Sequence, residues 1–189
     1  MLNEDDLLVA AQQNNPDALM AIYDRYQAMI YAYAYRMVLN ADAAEDCTAA
    51  TFERLLAALQ KGAGPKQHLK AYLFRIAHNW MVDWVRRESR QISTDFTDQA
   101  WPADDPSPDE AAAKRMNTAR MMKHLQQLTP QQREVLILRF MDGFSLHETA
   151  KLLHKPVGAI KSLQKRALTR LRHEMESVDE MSDDHEKEG

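Results

Sequence analysis

Apolar residues recur at helical spacing through most of the chain. From Pro16 or Asp17 onward, Leu19, Ile22, Tyr23, Tyr26, Met29, Ile30, Tyr33 and Met37 follow i, i+3, i+4, i+7 spacing, the signature of one buried helix face. A shorter helix over residues 4–14 precedes it. Asn40 and Asp42 are start signals for a third helix, which runs to about residue 60 with Cys47, Thr51, Phe52, Leu55 and Leu59 inward. Lys61-Gly62-Ala63-Gly64-Pro65 then breaks the chain. A fourth helix is expected over residues 65–90. At about 100° per residue, Leu69, Leu73, Ile76, Ala77, Trp80 and Trp84 share one face of it.

Residues 91–110 behave differently. They hold three of the seven prolines, no Lys or Arg, and no helical period, which predicts an extended, mobile linker. Helical signals resume with a helix of mixed character over residues 111–127. Thr129 then caps a helix with Pro130 in its first turn, where a missing N–H costs nothing. Val135, Leu136, Leu138 and Phe140 fill that helix and Asp142-Gly143 ends it. Ser145, with Glu148 three residues on, forms a capping box for a short helix that turns Leu146, Thr149, Ala150 and Leu153 inward. His154-Lys155 is the turn. Pro156 opens the last helix, from 157 to about 175, with Ile160, Leu163, Ala167, Leu168 and Leu171 inward. Residues 177–189 are acidic, lack an apolar period and are expected to fray.

The pattern thus predicts an all-α protein of two small helical domains: a four-helix N-terminal domain over 1–90 and a C-terminal helix-turn-helix domain over 111–176. A flexible acidic linker, 91–110, joins them and an acidic tail, 177–189, follows. Composition supports the division. Gly (5) and Pro (7) are scarce in 189 residues, which disfavours turn-rich β architectures. Twelve of the 14 aromatics lie at or before Trp101, so the two domains build their cores from different materials. The single cysteine, Cys47, excludes an intrachain disulfide and a Cys-cluster zinc site, and its place on an apolar face reads as core. No stretch approaches 18 apolar residues and the acidic start lacks the flanks of a signal peptide, so no membrane insertion and a cytoplasmic location are expected.

The formal net charge of −4 conceals a strong asymmetry. Residues 91–110 carry 6 acids and no Lys or Arg, residues 111–173 carry 13 Lys/Arg against 3 acids, and residues 174–189 carry 8 acids and one Lys. A basic module between acidic segments points to a polyanion partner. A helical bundle with a solvated cationic surface would show the same charges.

Two helices refine this choice. On the last one, Gly158, Lys161, Ser162, Lys165 and Thr169 point outward, followed by Arg166, Arg170 and Arg172. Short polar and basic side chains near the start of such a helix can reach base edges. Flanking Lys and Arg can hold phosphates, and Gly158 lets the backbone approach DNA closely. The short preceding helix, the tight turn and small Ala150 at the crossing complete a helix-turn-helix. On the fourth helix, Arg75, Asn79, Asp83, Arg86 and Arg90 fall within roughly 80°, with Tyr72 beside them. This is either the solvated side of an amphipathic helix or a surface that grips phosphates through Arg and unpaired bases through Asn and an aromatic ring.

No enzyme emerges. His147-Glu148 begins like a zinc-protease motif, but Lys151 stands where the second histidine belongs. The other histidines show no paired ligand spacing, and there is no Gly-rich phosphate loop. Paired acids such as Asp104-Asp105 and Asp183-Asp184 lie in segments without a rigid frame. Catalytic residues, metal sites, cofactors and small-molecule substrates are therefore not expected.

The order of parts resembles the extracytoplasmic-function (ECF) RNA polymerase sigma factors over about residues 3–175. The resemblance rests on several stretches taken together. In the first half they are Ala44-Glu45-Asp46 with Thr51-Phe52, then Tyr72-Leu73-Phe74-Arg75-Ile76-Ala77-His78-Asn79-Trp80 with Asp83 and Arg86-Arg87. In the second half they are Leu128-Thr129-Pro130-Gln131-Gln132-Arg133-Glu134-Val135, Glu148-Thr149-Ala150-Lys151-Leu152-Leu153, and Gly158-Ala159-Ile160-Lys161-Ser162 through Arg166-Ala167 to Leu171-Arg172. Some positions depart from the family's habit: Ala49-Ala50 for Gln-Glu, His154 for Gly, Lys155 for an apolar residue, Leu163 for Arg.

The resemblance implies a sigma factor that binds core RNA polymerase and directs promoter-specific initiation. Its first domain would melt the −10 element through Tyr72, Arg75, Asn79, Arg86 and Arg90, and bind polymerase through Glu45, Asp46, Thr51, Phe52 and Arg54. The loop at 61–66 would form the pocket for a flipped non-template base. The second domain would read the −35 element through Lys155, Gly158, Lys161, Ser162, Lys165, Arg166 and Arg170. The linker would run near the RNA path as a polyanion mimic. Promoter DNA and core polymerase are the implied partners, and an anti-sigma factor is a further one. The alternative is a polymerase-independent helix-turn-helix regulator whose N-terminal domain senses or dimerises.

Overall fold

The computed structural model describes residues 3–88 and 121–186, with side chains to residue 173. The linker at 91–110, Arg90 and the expected start of a helix at 111 lie outside these residues. No strand occurs among the described residues, and the chain forms two compact units.

The first unit holds α1 (Glu4–Gln12), α2 (Pro16–Val38), α3 (Ala41–Gln60) and α4 (Leu69–Glu88). Asparagine starts three of them. Asn3 accepts from the Asp6 N–H at 2.8 Å, Asn15 from Asp17 and Ala18, and Asn40 from Ala43 at 2.8 Å. Each such cap satisfies donors that the first helical turn leaves open, and is worth about 1 kcal/mol. α2 packs against α1, α3 and α4 and is the spine of the unit. Ile22, Ile30 and Tyr33 on α2, Leu55 on α3, and Leu69, Leu73 and Phe74 on α4 are fully buried. The Tyr33 and Phe74 rings meet at 5.1 Å between centroids in a tilted arrangement, which suits their quadrupoles.

α4 starts later than the sequence pattern predicts. Pro65 does not open it; residues 61–68 stay non-helical and His68 has φ +57°, outside the helical basin. Its first donor is capped from far away: the Leu69 N–H donates to Glu4 Oε1 at 3.0 Å, and the Tyr26 hydroxyl donates to the other oxygen of that carboxylate. Burial, reinforced by the Glu4 carboxylate, pushes the Tyr26 phenol well above its ordinary pKa. Gln12 Nε2 donates to the Pro65 carbonyl at 2.8 Å. At Gly64 an added Cβ would stand 2.6 Å from Leu59 Cδ2, so the loop folds closely over the end of α3. The short α1 therefore organises both the loop at 61–68 and the start of α4.

Two inward expectations and one helix boundary in this unit need correction. Tyr23 is 44 % exposed and packs edgewise on Phe52, ring centroids 4.9 Å apart. Trp84 is half-buried, whereas Phe74 and Met81 are buried instead, which rotates the α4 core stripe toward α2. α1 stops at Gln12 because Asn14 turns left-handed at φ +57°. Cys47 is wholly buried, as expected of a core residue, its Sγ 3.8 Å from the Ala77 carbonyl oxygen.

The second unit holds α5 (described over 121–126), α6 (Pro130–Leu136), a π-helical turn (Ile137–Met141), α7 (Leu146–Leu152) and α8 (Val157–Glu186). Thr129 and Gln132 form a reciprocal capping box at α6. Ser145 and Glu148 form the second one at α7: the Ser145 N–H donates to Glu148 Oε2 at 2.7 Å. Arg133 folds back to donate to the Leu125 and Gln126 carbonyls, closing the end of α5. α6 packs on α8, and Val135, Ile137, Leu138, Ile160 and Ala167 are fully buried.

Here too the sequence pattern errs at identifiable places. The π turn, with the Asp142 N–H donating to Ile137 O at 3.0 Å, inserts an extra residue into the period. Phe140, expected in the core, is thereby swung out and is 58 % exposed. Arg139 bridges from this turn to the Phe144 carbonyl at 2.6 Å and to Gln164 Oε1 at 3.4 Å. On α8, Leu168 is 43 % exposed and Leu163 and Leu171 are half-buried, and among its described side chains only Ile160 and Ala167 are fully buried. α8 also runs on to Glu186 rather than stopping near 175; no Gly or Pro stands between residues 175 and 186 to end it.

α7 ends in a Schellman motif. The Lys155 N–H donates to Ala150 O at 3.0 Å and the His154 N–H to Lys151 O at 3.4 Å, with His154 left-handed at φ +52°. An L-residue with a Cβ pays about 1–2 kcal/mol for that conformation, partly offset by the roughly 0.5–1 kcal/mol that Gly loses in chain entropy. His154→Gly should therefore raise the stability of the second unit by about 0.5 kcal/mol or more, seen as a higher midpoint for its thermal transition; a lower midpoint contradicts the strain. In the first unit, burial pushes the Cys47 thiol from 9.0 up to about 12. The folded state thus keeps its proton where the unfolded chain loses it. Its stabilising contribution is complete below pH 9 and fades as pH rises toward 12. A thiol reagent should label Cys47 only at the rate of unfolding, and fast labelling of the native chain would refute its burial.

Candidate nucleic-acid interface

α8 is anchored on one side and free on the other. Ile160 and Ala167 have no exposed surface, while Gly158, Lys161, Ser162, Lys165, Arg166, Thr169, Arg170 and Arg172 are exposed. From Gly158 to Arg170 the helix rises about 18 Å at 1.5 Å per residue, long enough to lie along a groove. The major groove of B-DNA, about 12 Å wide, admits such a helix. The space over Gly158 is open, with no atom within 4 Å of an added Cβ. Lys155, in the preceding turn, is half-buried. All seven residues expected at the −35 element thus lie in α8 or in the turn that leads into it. Arg166 Nε donates to the Ser162 carbonyl at 3.3 Å, an exposed contact within one helical turn.

α4 presents the second basic face. Arg75 and Asn79 are exposed one turn apart, and the Arg75 guanidinium lies 5.4 Å from the centre of the half-exposed Tyr72 ring. This pair offers a flat aromatic surface and a cation at the same spot. Arg86 is 3.9 Å from the Asp83 carboxylate, with both side chains more than 60 % exposed. An exposed pair of this kind is worth well under about 1 kcal/mol, so a phosphate can compete for the arginine. Arg90 lies outside the described residues.

The residues expected at a polymerase surface do not behave alike. Glu45, Asp46 and Arg54 are exposed on α3. Thr51 and Phe52 are not: Thr51 has no exposed surface and its hydroxyl donates to the Cys47 carbonyl at 2.7 Å, while Phe52 is 7 % exposed against Tyr23. This corrects the expectation that they meet a partner directly. They hold α3 in the core so that its acidic positions stay outside.

Sequence reasoning passed over one exposed group. His147 and Lys151 on α7 and His154 in the turn all face solvent. Their i, i+4, i+7 spacing was a readable signal, obscured because His147-Glu148 was weighed only as a metal motif. No group of three or more metal-ligating side chains occurs among the described residues.

The correction on α3 has a direct check. Phe52→Ala should destabilise the first unit by about 3 kcal/mol, whereas Asp46→Lys should change it by no more than about 0.5 kcal/mol. Equal shifts in denaturant midpoint would contradict this division.

Comparisons with known proteins bear on the same residues. Residues 22–91 match the family described as Sigma-70 region 2, and residues 124–173 match Sigma-70, region 4. The chain is 32% identical over 168 residues to the ECF RNA polymerase sigma factor BldN of Streptomyces coelicolor, spanning 88% of this chain and 63% of BldN. It is 30% identical over 174 residues to the ECF RNA polymerase sigma factor SigX of Bacillus subtilis, spanning 89% of each. The structure of CnrH in complex with the cytosolic domain of CnrY shares the fold, with a TM-score of 0.69 at 24% identity over 92% of this chain and 97% of that one. The α4 face lies within the region 2 match and the exposed face of α8 within the region 4 match. The chain belongs to the ECF RNA polymerase sigma factors, which are transcription initiation factors and not enzymes.

Proposed function

We propose that this protein binds core RNA polymerase and directs it to promoters, the first unit opening the −10 element and the second reading the −35 element. The observation that carries this reading is the pair of anchored helices: α4 and α8 each bury one stripe and expose a face of nucleic-acid-binding residue types. In the first unit, Tyr72 stacks on an unpaired base, Asn79 bonds a base edge, and Arg75 and Arg86 hold phosphates, with Arg90 extending the row. Unstacking costs a few kcal/mol per base step, and stacking on an aromatic ring returns about 1–3 kcal/mol per base. In the second unit, Lys161, Ser162 and Lys165, with Gly158 permitting close approach, meet base edges. Lys155, Arg166 and Arg170 hold the flanking backbone.

Glu45, Asp46 and Arg54 are the polymerase contacts in this reading. Its working boundaries are 1–90 for the first domain, 91–110 for the linker, 111–176 for the second domain and 177–189 for the tail. An anti-sigma factor is the partner that would hold the protein silent. No helix among the described residues is long and apolar enough to cross a membrane, and the cytoplasm, where polymerase and chromosome meet, is the proposed location.

The test is reconstituted transcription with core polymerase on genomic promoter fragments. Wild type should co-purify with core and initiate at a defined promoter set. Lys161→Glu with Lys165→Glu should abolish −35-dependent initiation while core binding persists. Arg75→Ala with Asn79→Ala should lower open-complex formation, read by permanganate reactivity of the −10 strand, by at least about ten-fold, the loss of one or two contacts of 1–3 kcal/mol each. Silence of the wild type on every fragment, or initiation indifferent to both double variants, would sink the reading.

A further inference from the structure

α4 has no local start signal. Its first residue is Leu69, and His68 before it has no side-chain oxygen and stands left-handed at φ +57°, where an N-cap residue is normally extended. Residues 61–82 contain no Asp or Glu to serve instead. The missing acceptor comes from another helix: Glu4 Oε1 takes the Leu69 N–H at 3.0 Å. The other oxygen of that carboxylate takes the Tyr26 hydroxyl of α2, so the group is held from two sides. At the far end of α1, Gln12 Nε2 donates to the Pro65 carbonyl at 2.8 Å. Glu4 and Gln12 are the first and last residues of α1, about 12 Å apart along it, and they bind the two ends of the 65–69 segment. α1 therefore braces that segment at both ends.

What the brace holds is the root of the α4 face. The Tyr72 N–H makes the first backbone bond of α4, to the His68 carbonyl at 3.0 Å, and the Arg75 guanidinium lies 5.4 Å from the centre of the Tyr72 ring. The direction in which Tyr72 stands therefore depends on the turn at His68. Lys66, Gln67 and His68, between the braced ends, are exposed and offer that turn no packing. Its support is the carboxylate of Glu4.

We propose that Glu4 is a positioning residue for strand opening: by capping α4 from α1 it holds the turn at His68, and through it Tyr72, in the conformation that receives an unpaired base. Glu4 touches no DNA in this role. The proposal rests on the reading of α4 as the surface that captures the opened −10 strand, and adds a helix outside that surface as its support. Without the carboxylate the Leu69 N–H loses its acceptor, the first turn of α4 frays, and Tyr72 samples other directions. The face keeps its composition, but its affinity falls by the fraction of time that it is out of place.

The test uses the full chain bound to core polymerase and a fluorescent forked DNA whose −10 non-template strand is unpaired, read by anisotropy. Glu4→Ala should weaken binding about five-fold, the usual effect of a lost cap. Glu4→Gln, which keeps an acceptor for the Leu69 N–H, should stay within about two-fold of wild type. Both variants should bind core as wild type does. A cycle with Tyr72→Ala separates positioning from general weakening: in that background Glu4→Ala should change binding by less than about two-fold. Wild-type affinity in Glu4→Ala, with Tyr72→Ala weakened, overturns this proposal and leaves the reading of α4 standing. A Glu4→Ala loss that Glu4→Gln shares, or that persists in full in the Tyr72→Ala background, also overturns it. So does loss of core binding by Glu4→Ala, since Glu4 would then hold the unit together and not aim one face. Binding indifferent to Tyr72→Ala overturns the reading of α4 and this proposal with it.

Discussion

A helix that displays several like charges on one side holds its orientation only if the other side is fixed. In α8 the fixed side is narrow: Ile160 and Ala167, both without exposed surface, set against α6. Burying one aliphatic side chain of this size contributes on the order of 2 kcal/mol, and small Ala167 lets the helices approach closely. Polar ties add to the seam, notably Arg139 reaching Gln164. Nearly everything else on this part of α8 is then free to be polar or basic. α4 meets the same constraint with a wider stripe, from Leu69 through Ile76 and Ala77 to Met81, and pays for it with aromatic packing on α2.

The elements depend on local chemistry and were therefore legible. Asn40, Thr129 and Ser145 cap helices as their positions predict, and Asn3 and Asn15, which the sequence pattern does not single out, cap in the same way, because a side-chain oxygen two or three residues ahead of an open N–H works alike in any fold. The exposed residues of α8 and α4 were legible for a similar reason: outward positions follow from periodicity once the inward ones are known. What escaped was set by longer reach or by a broken period. The start of α4 depends on Glu4, 65 residues away, and no window of sequence contains that bond. Phe140 left the core because a π turn shifted its phase, and Leu168 because the seam with α6 is narrower than an ideal amphipathic stripe. The resemblance assigns Thr51 and Phe52 to the polymerase contact, although the spacing of α3 puts both of them inward.

The two units differ in electrostatics as well as in packing. The described part of the first carries acids and bases in near balance, whereas residues 111–173 carry a large excess of Lys and Arg. Non-specific duplex affinity comes almost wholly from neutralised phosphates. A near-neutral unit therefore has little hold on DNA by itself, and in the proposed reading its Tyr72, Arg75 and Asn79 come into use only where something else positions them. The basic unit can make first contact unaided.

That asymmetry suits a division in which strand opening must be conditional. A domain that bound unpaired bases tightly without help would engage any transient opening in the chromosome, and its specificity would be lost among the many competing sites. In the proposed reading, duplex affinity sits on α8, where sequence can be checked, and base capture on α4, which is weak alone. The anchoring of each helix makes the division stable. Because Thr51 and Phe52 lock α3 into the core that α4 also packs on, a partner gripping the exposed acids of α3 would hold α4 rigidly through buried contacts and would not need to touch it.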